Sequence, residues 1–219
     1  MELLDFARGP GMQWSIGIFV AGVLWRVLGI LLLHHRRDLS EPRVGGAAPL
    51  LGGAQKVVRR LWPRKEFKER NLLPTALAYI VHIGLAIVVF GGSFHLLFIK
   101  NLFGISWPAL PSAFVYFTGA ATVAAGIALL ARRIIDPVTR LLSNFDDYFS
   151  WFVTLAPVVT GLMAVAHFGA RYETVLALHI LSFELLLVWF PFGKLMHAFL
   201  WVPSKARTGY VFTRKGATS

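Results

Sequence analysis

Five stretches of the chain are apolar almost without interruption, at about residues 11–33, 75–99, 113–131, 150–168 and 174–200. Each covers or nearly covers the ~20 helical residues that a ~30 Å hydrocarbon core requires. The second, third and fourth contain no Asp, Glu, Lys or Arg. None alternates apolar and polar positions as a barrel strand would, so the pattern predicts membrane-crossing helices rather than strands. The first stretch opens on Trp and Gly, without the basic lead or small-x-small site of a signal peptide, and is expected to remain as a span. The predicted fold is all-α, a single integral membrane bundle of five transmembrane helices over residues 1–219.

The polar positions between these stretches orient the bundle. Lys and Arg number ten in 34–73, three in 132–148 and four in 201–219, against one each (Arg8, Lys100, Arg171) on the opposite side. Seventeen against three places the basic loops in the cytoplasm, the N-terminus outside and the C-terminus inside. The composition then makes sense. A net charge of +11 on 219 residues would suit a nucleic-acid binder, but 15% charged and 56% apolar residues do not cover a soluble globule. The basic excess reads as topology, and no nucleic-acid partner is expected. The implied location is a prokaryotic cytoplasmic membrane.

The cytoplasmic loop 34–73 divides in two. Residues 43–54 (RVGGAAPLLGGA) are Gly/Pro-rich and predict a flexible turn. Residues 55–70 (QKVVRRLWPRKEFKER) mix basic with apolar residues, which suits a segment on anionic headgroups or a docking surface for a cytoplasmic partner. The tail 201–219 is basic, and the outer loop 100–112, with Lys100 and Trp107, is largely apolar. His34 and His35, beside Arg36, end the first span as interfacial anchors.

The absence of cysteine excludes disulfides, thiolate metal sites and covalently attached c-type heme. Redox chemistry would rest on histidine, which is costly inside lipid and marks function there. His82 and His95 lie on helix II, His179 and His197 on helix V. Because these helices run in opposite directions, they offer an inner pair, His82 with His197, and an outer pair, His95 with His179. Non-covalent heme b takes two neutral imidazoles on opposite faces of the ring. The 18 residues between His179 and His197 are five whole turns at ~100° per residue, so one helix face carries both. The 13 residues between His82 and His95 leave those side chains ~140° apart. Gly91-Gly92-Ser93 is positioned to rewind helix II, and Pro191 interrupts helix V before His197. His167, at the outer end of helix IV, is an alternative member of the outer pair.

The stretch LALHILSFELLLVWFPFGKLMHAFLWVPSKARTGYVFTRKG (176–216) and YIVHIG (79–84) resemble the gamma-subunit family of respiratory nitrate reductase, a membrane diheme cytochrome b. The shared features are the two histidines 18 residues apart, the Phe-Pro-Phe, the following basic residue and the basic tail. The resemblance implies two hemes b, His82 and His197 on the inner one and His179 on the outer one. It further implies electron exchange between the membrane quinone/quinol pool and a redox partner, such as a cytoplasmic-side iron–sulfur subunit, with quinol near the outer heme. In that family the second histidine of helix II stands where this chain has Gly92. Here His95 takes the role, which marks a relative serving another quinone-linked complex.

Three more intramembrane charges attract attention. Arg26 and Glu184 are close enough in expected depth to neutralise one another; otherwise Arg26 suits a heme propionate and Glu184 a proton carrier for quinol. Lys194, one turn before His197, suits an inner propionate or snorkels to water. The competing reading is a heme-free membrane anchor or small transporter that uses its intramembrane His and Glu for protons or a metal.

Overall fold

The computed structural model describes residues 2–34 and 39–217, and every regular element among them is helical. In chain order these are α1 (Leu3–Leu32), α2 (Ala48–Arg59), α3 (Lys65–Gly91), α4 (Ser93–Phe103), α5 (Ser112–Ile135), α6 (Pro137–Leu141), α7 (Phe145–Val165), α8 (Tyr172–Trp189) and α9 (His197–Arg214). Five of them, α1, α3, α5, α7 and α8, are long and apolar enough to cross a membrane. The protein is thus a multi-pass helical membrane protein. His35 and Arg36 lie outside the described residues, and His34 is exposed just after α1.

Helix starts extend further into polar sequence than the apolar runs suggest. The α7 helix begins at Phe145 because Asn144 and Asp147 form a reciprocal cap: Asp147 N–H donates to Asn144 Oδ1, and Asn144 N–H donates to Asp147 Oδ2. The α1 helix begins at Leu3 and passes through a widened π-helical turn at Ala7–Gly11, where Pro10 has no N–H to give.

Helices II and V of the sequence reading are each broken in two. Helix II stops at Gly91, Gly92 is extended (φ −74°, ψ 130°), and α4 starts at Ser93. Helix V stops at Trp189; Pro191 and an extended Gly193 (φ −98°, ψ −175°) end it, and α9 starts at His197. A continuous span over 174–200, with His179 and His197 on one face, is therefore corrected. Proline cannot donate to the helical ladder, and Gly193 has its Cα against Trp189 and Asp146, where a Cβ would lie 2.4 Å from Trp189 Nε1.

Small residues set the packing of the crossing helices, as expected where lipid supplies no hydrophobic drive between helices. A Cβ on Gly84 of α3 would lie 2.0 Å from Thr122 Oγ1 of α5, and one on Gly22 of α1 would lie 2.5 Å from Pro191 after α8. The packed pairs are α3 with α5, α5 with α7, α7 with α8, and α8 with α1. Helices α3 and α8, by contrast, are not packed on one another.

The segment 43–54 is a second correction, because most of it is helix α2, docked lengthwise on α9. Gly52 and Gly53 serve close contact rather than flexibility. A Cβ on Gly209 would lie 2.4 Å from Gly52 O, and one on Gly53 would lie 2.8 Å from Ala206 O. Lys56 is buried in this contact with Nζ 5.4 Å from the centre of the Phe212 ring. Burial, and then the charges of Arg60, Arg64, Lys205 and Arg59, hold its ammonium below the usual lysine range. The C-terminal tail is likewise a helix over most of its length.

Candidate functional site: two opposed histidine pairs

The two helix breaks bring four histidines into two facing pairs. The ring centres of His82 (α3) and His197 (α9) are 6.1 Å apart, with planes at 76°. Those of His95 (α4) and His179 (α8) are 6.0 Å apart, with planes at 45°. Two imidazoles bound through nitrogen on opposite sides of one metal ion, at bonds of about 2.0–2.1 Å, have ring centres roughly 6.3 Å apart. Both pairs are close to that separation, and it is through these rings rather than through packed backbones that α3–α4 and α8–α9 approach one another.

The hydrogen bonds fix which nitrogen is available. His82 Nδ1 is 2.7 Å from Ala78 O, His95 Nδ1 is 2.9 Å from Val88 O, His179 Nδ1 is 2.9 Å from Pro157 O, and His197 Nδ1 is 2.8 Å from Lys194 O. A carbonyl oxygen can only accept, so each Nδ1 carries the proton and donates it. In the neutral ring that tautomer leaves Nε2 as the nitrogen with a lone pair, so Nε2 is the atom each ring would offer a metal, with the orienting bond already in place.

Each ring is positioned by a local feature. His82 donates to the carbonyl four residues back on its own helix. His95 depends on the break: extended Gly92 turns α4 so that Nδ1 reaches back seven residues to Val88 O. A side chain at Gly92 would crowd that bond, since a Cβ would lie 2.9 Å from Val88 O and 3.3 Å from His95 Nδ1. The loop 104–111 folds over this break, with Trp107 Nε1 donating to Phe90 O at 2.7 Å and Leu110 N–H to Gly91 O at 2.9 Å. His179 lies against Gly161 of α7, where a Cβ would be 3.0 Å from its Cε1 and 3.2 Å from its Nδ1. The ~140° mismatch computed for an unbroken helix II thus does not apply.

His197 is held from the start of α7. Asp146 Oδ1 accepts from Lys194 N–H at 3.1 Å and from Ser150 Oγ at 2.8 Å, and Ser150 Oγ accepts from Trp189 Nε1 at 3.1 Å. Buried Asp147 accepts from Lys194 Nζ and from Arg133 Nη1, the latter at 2.9 Å. The ammonium of Lys194, on a half-exposed side chain, is paired with Asp147. That pairing fixes the turn whose carbonyl orients His197.

His167 is exposed in the α7–α8 turn at φ 50°, its ring 5.4 Å from Tyr172, and it joins neither pair. Among the described residues Arg26 is exposed and has no carboxylate partner. Glu184 is buried against Gly11, where a Cβ would lie 2.7 Å from its Oε2, and its Oε1 has no hydrogen-bond partner among the described residues. Gly11 precedes Arg26 by fifteen residues, about 22 Å of helix, so the Arg26–Glu184 pair is not made. Its expected depth assumed that α1 begins near Gly11 rather than at Leu3. Among the described residues no three His, Asp or Glu side chains converge.

Fold and site together define a helical membrane protein that presents two opposed histidine pairs. The chain belongs to the same family as a protein of Nitratidesulfovibrio vulgaris (strain Hildenborough), with which it is 34% identical over 218 residues, 97% of this chain and 96% of that one. That relative's name, "Protein", states no activity. No family model and no solved structure matches the chain.

Proposed function

We propose that the protein is a membrane cytochrome b subunit that transfers electrons between the quinone/quinol pool and a partner redox subunit through two bis-histidine hemes b. The observation that carries this reading is the paired geometry: two sets of imidazoles at 6.0 and 6.1 Å, each ring with Nδ1 spent on a carbonyl and Nε2 free. His82 and His197 would hold the inner heme, and His95 and His179 the outer one. When bound, each heme supplies a reversible one-electron carrier without covalent attachment. The protein's part is to orient the imidazoles through the carbonyls of Ala78, Val88, Pro157 and Lys194; His95 and His179 are half-buried between helices, whereas His82 and His197 are exposed on the protein's surface.

The likeness of helices II and V to the nitrate reductase gamma-subunit family supports this assignment. The lysine and arginine distribution supports a cytoplasmic C-terminus, and the bacterial relative supports a prokaryotic cytoplasmic membrane. With the basic loops inside, the His95–His179 pair lies in the outer half of the membrane. Glu184, five residues from His179 and without a partner for Oε1 among the described residues, is the group suited to take a proton there as quinol is oxidised. Arg26 and Lys194 are cations suited to heme propionates.

The test is a spectrum. The full chain, purified in detergent and reduced with dithionite, is expected to show the alpha band of a b-type cytochrome. A folded but colourless protein would overturn the assignment in favour of a heme-free anchor or transporter.

A further inference from the structure

Helix α2 is inverted relative to an ordinary surface helix. The face it buries against α9 is Gly52, Gly53 and Lys56, while Leu50, Leu51, Val58 and the following Trp62 are 62–68% exposed. A solvated helix would turn these apolar side chains inward, so this outer face is built for something other than water. Beyond α2, a cavity of about 460 Å³ opens beside Arg60, Trp62, Arg64, Phe67, Asn71 and Thr75. A second hollow of about 420 Å³ lies further back along the same helix, by Ala54 and Val58.

Three features identify the occupant. Among the described residues neither Arg60 nor Arg64 has a carboxylate partner, and residues 56–70 carry seven Lys and Arg against Glu66 and Glu69. Guanidinium groups match a phosphodiester in shape and charge. The cavity also lies at the start of α3, where polar sequence gives way to the apolar run after Thr75, which is headgroup depth for a helix entering a membrane. Tyr79 of α3 holds the cavity's wall in place by donating its hydroxyl hydrogen to Leu61 O.

We infer that this cavity is an anionic-phospholipid site: Arg60 and Arg64 take the phosphodiester, and the acyl chains lie along the outward Leu51–Val58–Trp62 face of α2. The inference needs the membrane-spanning fold and not the heme assignment.

Native mass spectrometry of the full chain tests it, with dioleoyl phosphatidylglycerol and dioleoyl phosphatidylcholine as probes. The wild-type chain is expected to retain one phosphatidylglycerol in preference to phosphatidylcholine. The R60A/R64A double variant is expected to lose that affinity roughly tenfold to thirtyfold, while R140A, which removes one basic residue elsewhere, changes it less than about twofold. If R60A/R64A does not fold by circular dichroism, R60K/R64K keeps the charge and is expected to bind severalfold more weakly. Equal retention of the two lipids, an equal loss in R140A, or unchanged binding by the arginine variants would overturn the site and leave the face to a protein partner. Displacement of the lipid by millimolar inorganic phosphate would overturn it in favour of a free-phosphate site.

Discussion

Replacing His197 with alanine is expected to lower bound heme from about two to about one per chain, because an iron with one axial imidazole missing loses its hold in a non-covalent site. His82→Ala should do the same, and the double variant should lose no more than either alone, since on the proposed assignment both rings would serve one iron. The remaining heme should keep its spectrum, because His95 and His179 are oriented by Val88 O and Pro157 O, neither of which depends on His197. Pyridine hemochrome assay with membrane insertion checked by blotting measures this. Retention of both hemes in His197→Ala would refute the inner pairing. The same assay on His167→Ala should show no loss, since that ring lies on Tyr172.

The second large effect comes from a residue that binds nothing. Gly161→Val places branched carbon where a Cβ alone would be 3.0 Å from the His179 ring. The ring must turn, and in turning it gives up the bond to Pro157 O. Overpacking of this kind costs about 1–3 kcal/mol in a well-filled interior. Here the strain falls on the outer pair, so Gly161→Val is expected to lose the outer heme while the inner one remains. Gly161→Ala, with one carbon at a tight but yielding distance, should keep both hemes with a shifted outer potential. A redox titration resolving the two components distinguishes these outcomes. Equal loss of both hemes in Gly161→Val would mean general misfolding rather than displacement of one ligand.

Much of this arrangement is legible in the sequence, and the reasons are physical. Crossing helices announce themselves because lipid tolerates little but a long apolar run, and all five runs correspond to such helices. Which histidines face each other follows from antiparallel order along α3–α4 and α8–α9. What periodicity cannot reach is the break. A Gly-Gly-Ser or a Pro-Phe-Gly inside an apolar run permits a kink, but whether the chain takes it depends on partners elsewhere. Leu110 and Trp107 close over Gly91 in one case, and Asp146 holds Lys194 N–H in the other. On unbroken helices His82 and His95 would lie ~140° apart and His179 and His197 on one face, and neither statement describes the folded chain. The glycines behave similarly. In 43–54 they read as flexibility, yet Gly52 and Gly53 are the surface on which α9 lies. Asn144 and Asp147 carry a readable cap signature, and it hides a second duty, since Asp147 also binds Lys194 and Arg133. No local pattern marks Gly161, because its meaning exists only once α7 meets His179.

Two facing pairs of imidazoles carry the cytochrome assignment, and heme stoichiometry tests it most directly. Pyridine hemochrome assay of the purified full chain, normalised to protein by amino-acid analysis, is expected to give about two hemes b per chain. A value of one would leave one of the two pairs without its assigned role, and a value of zero in a folded, membrane-inserted protein would contradict the cytochrome assignment altogether.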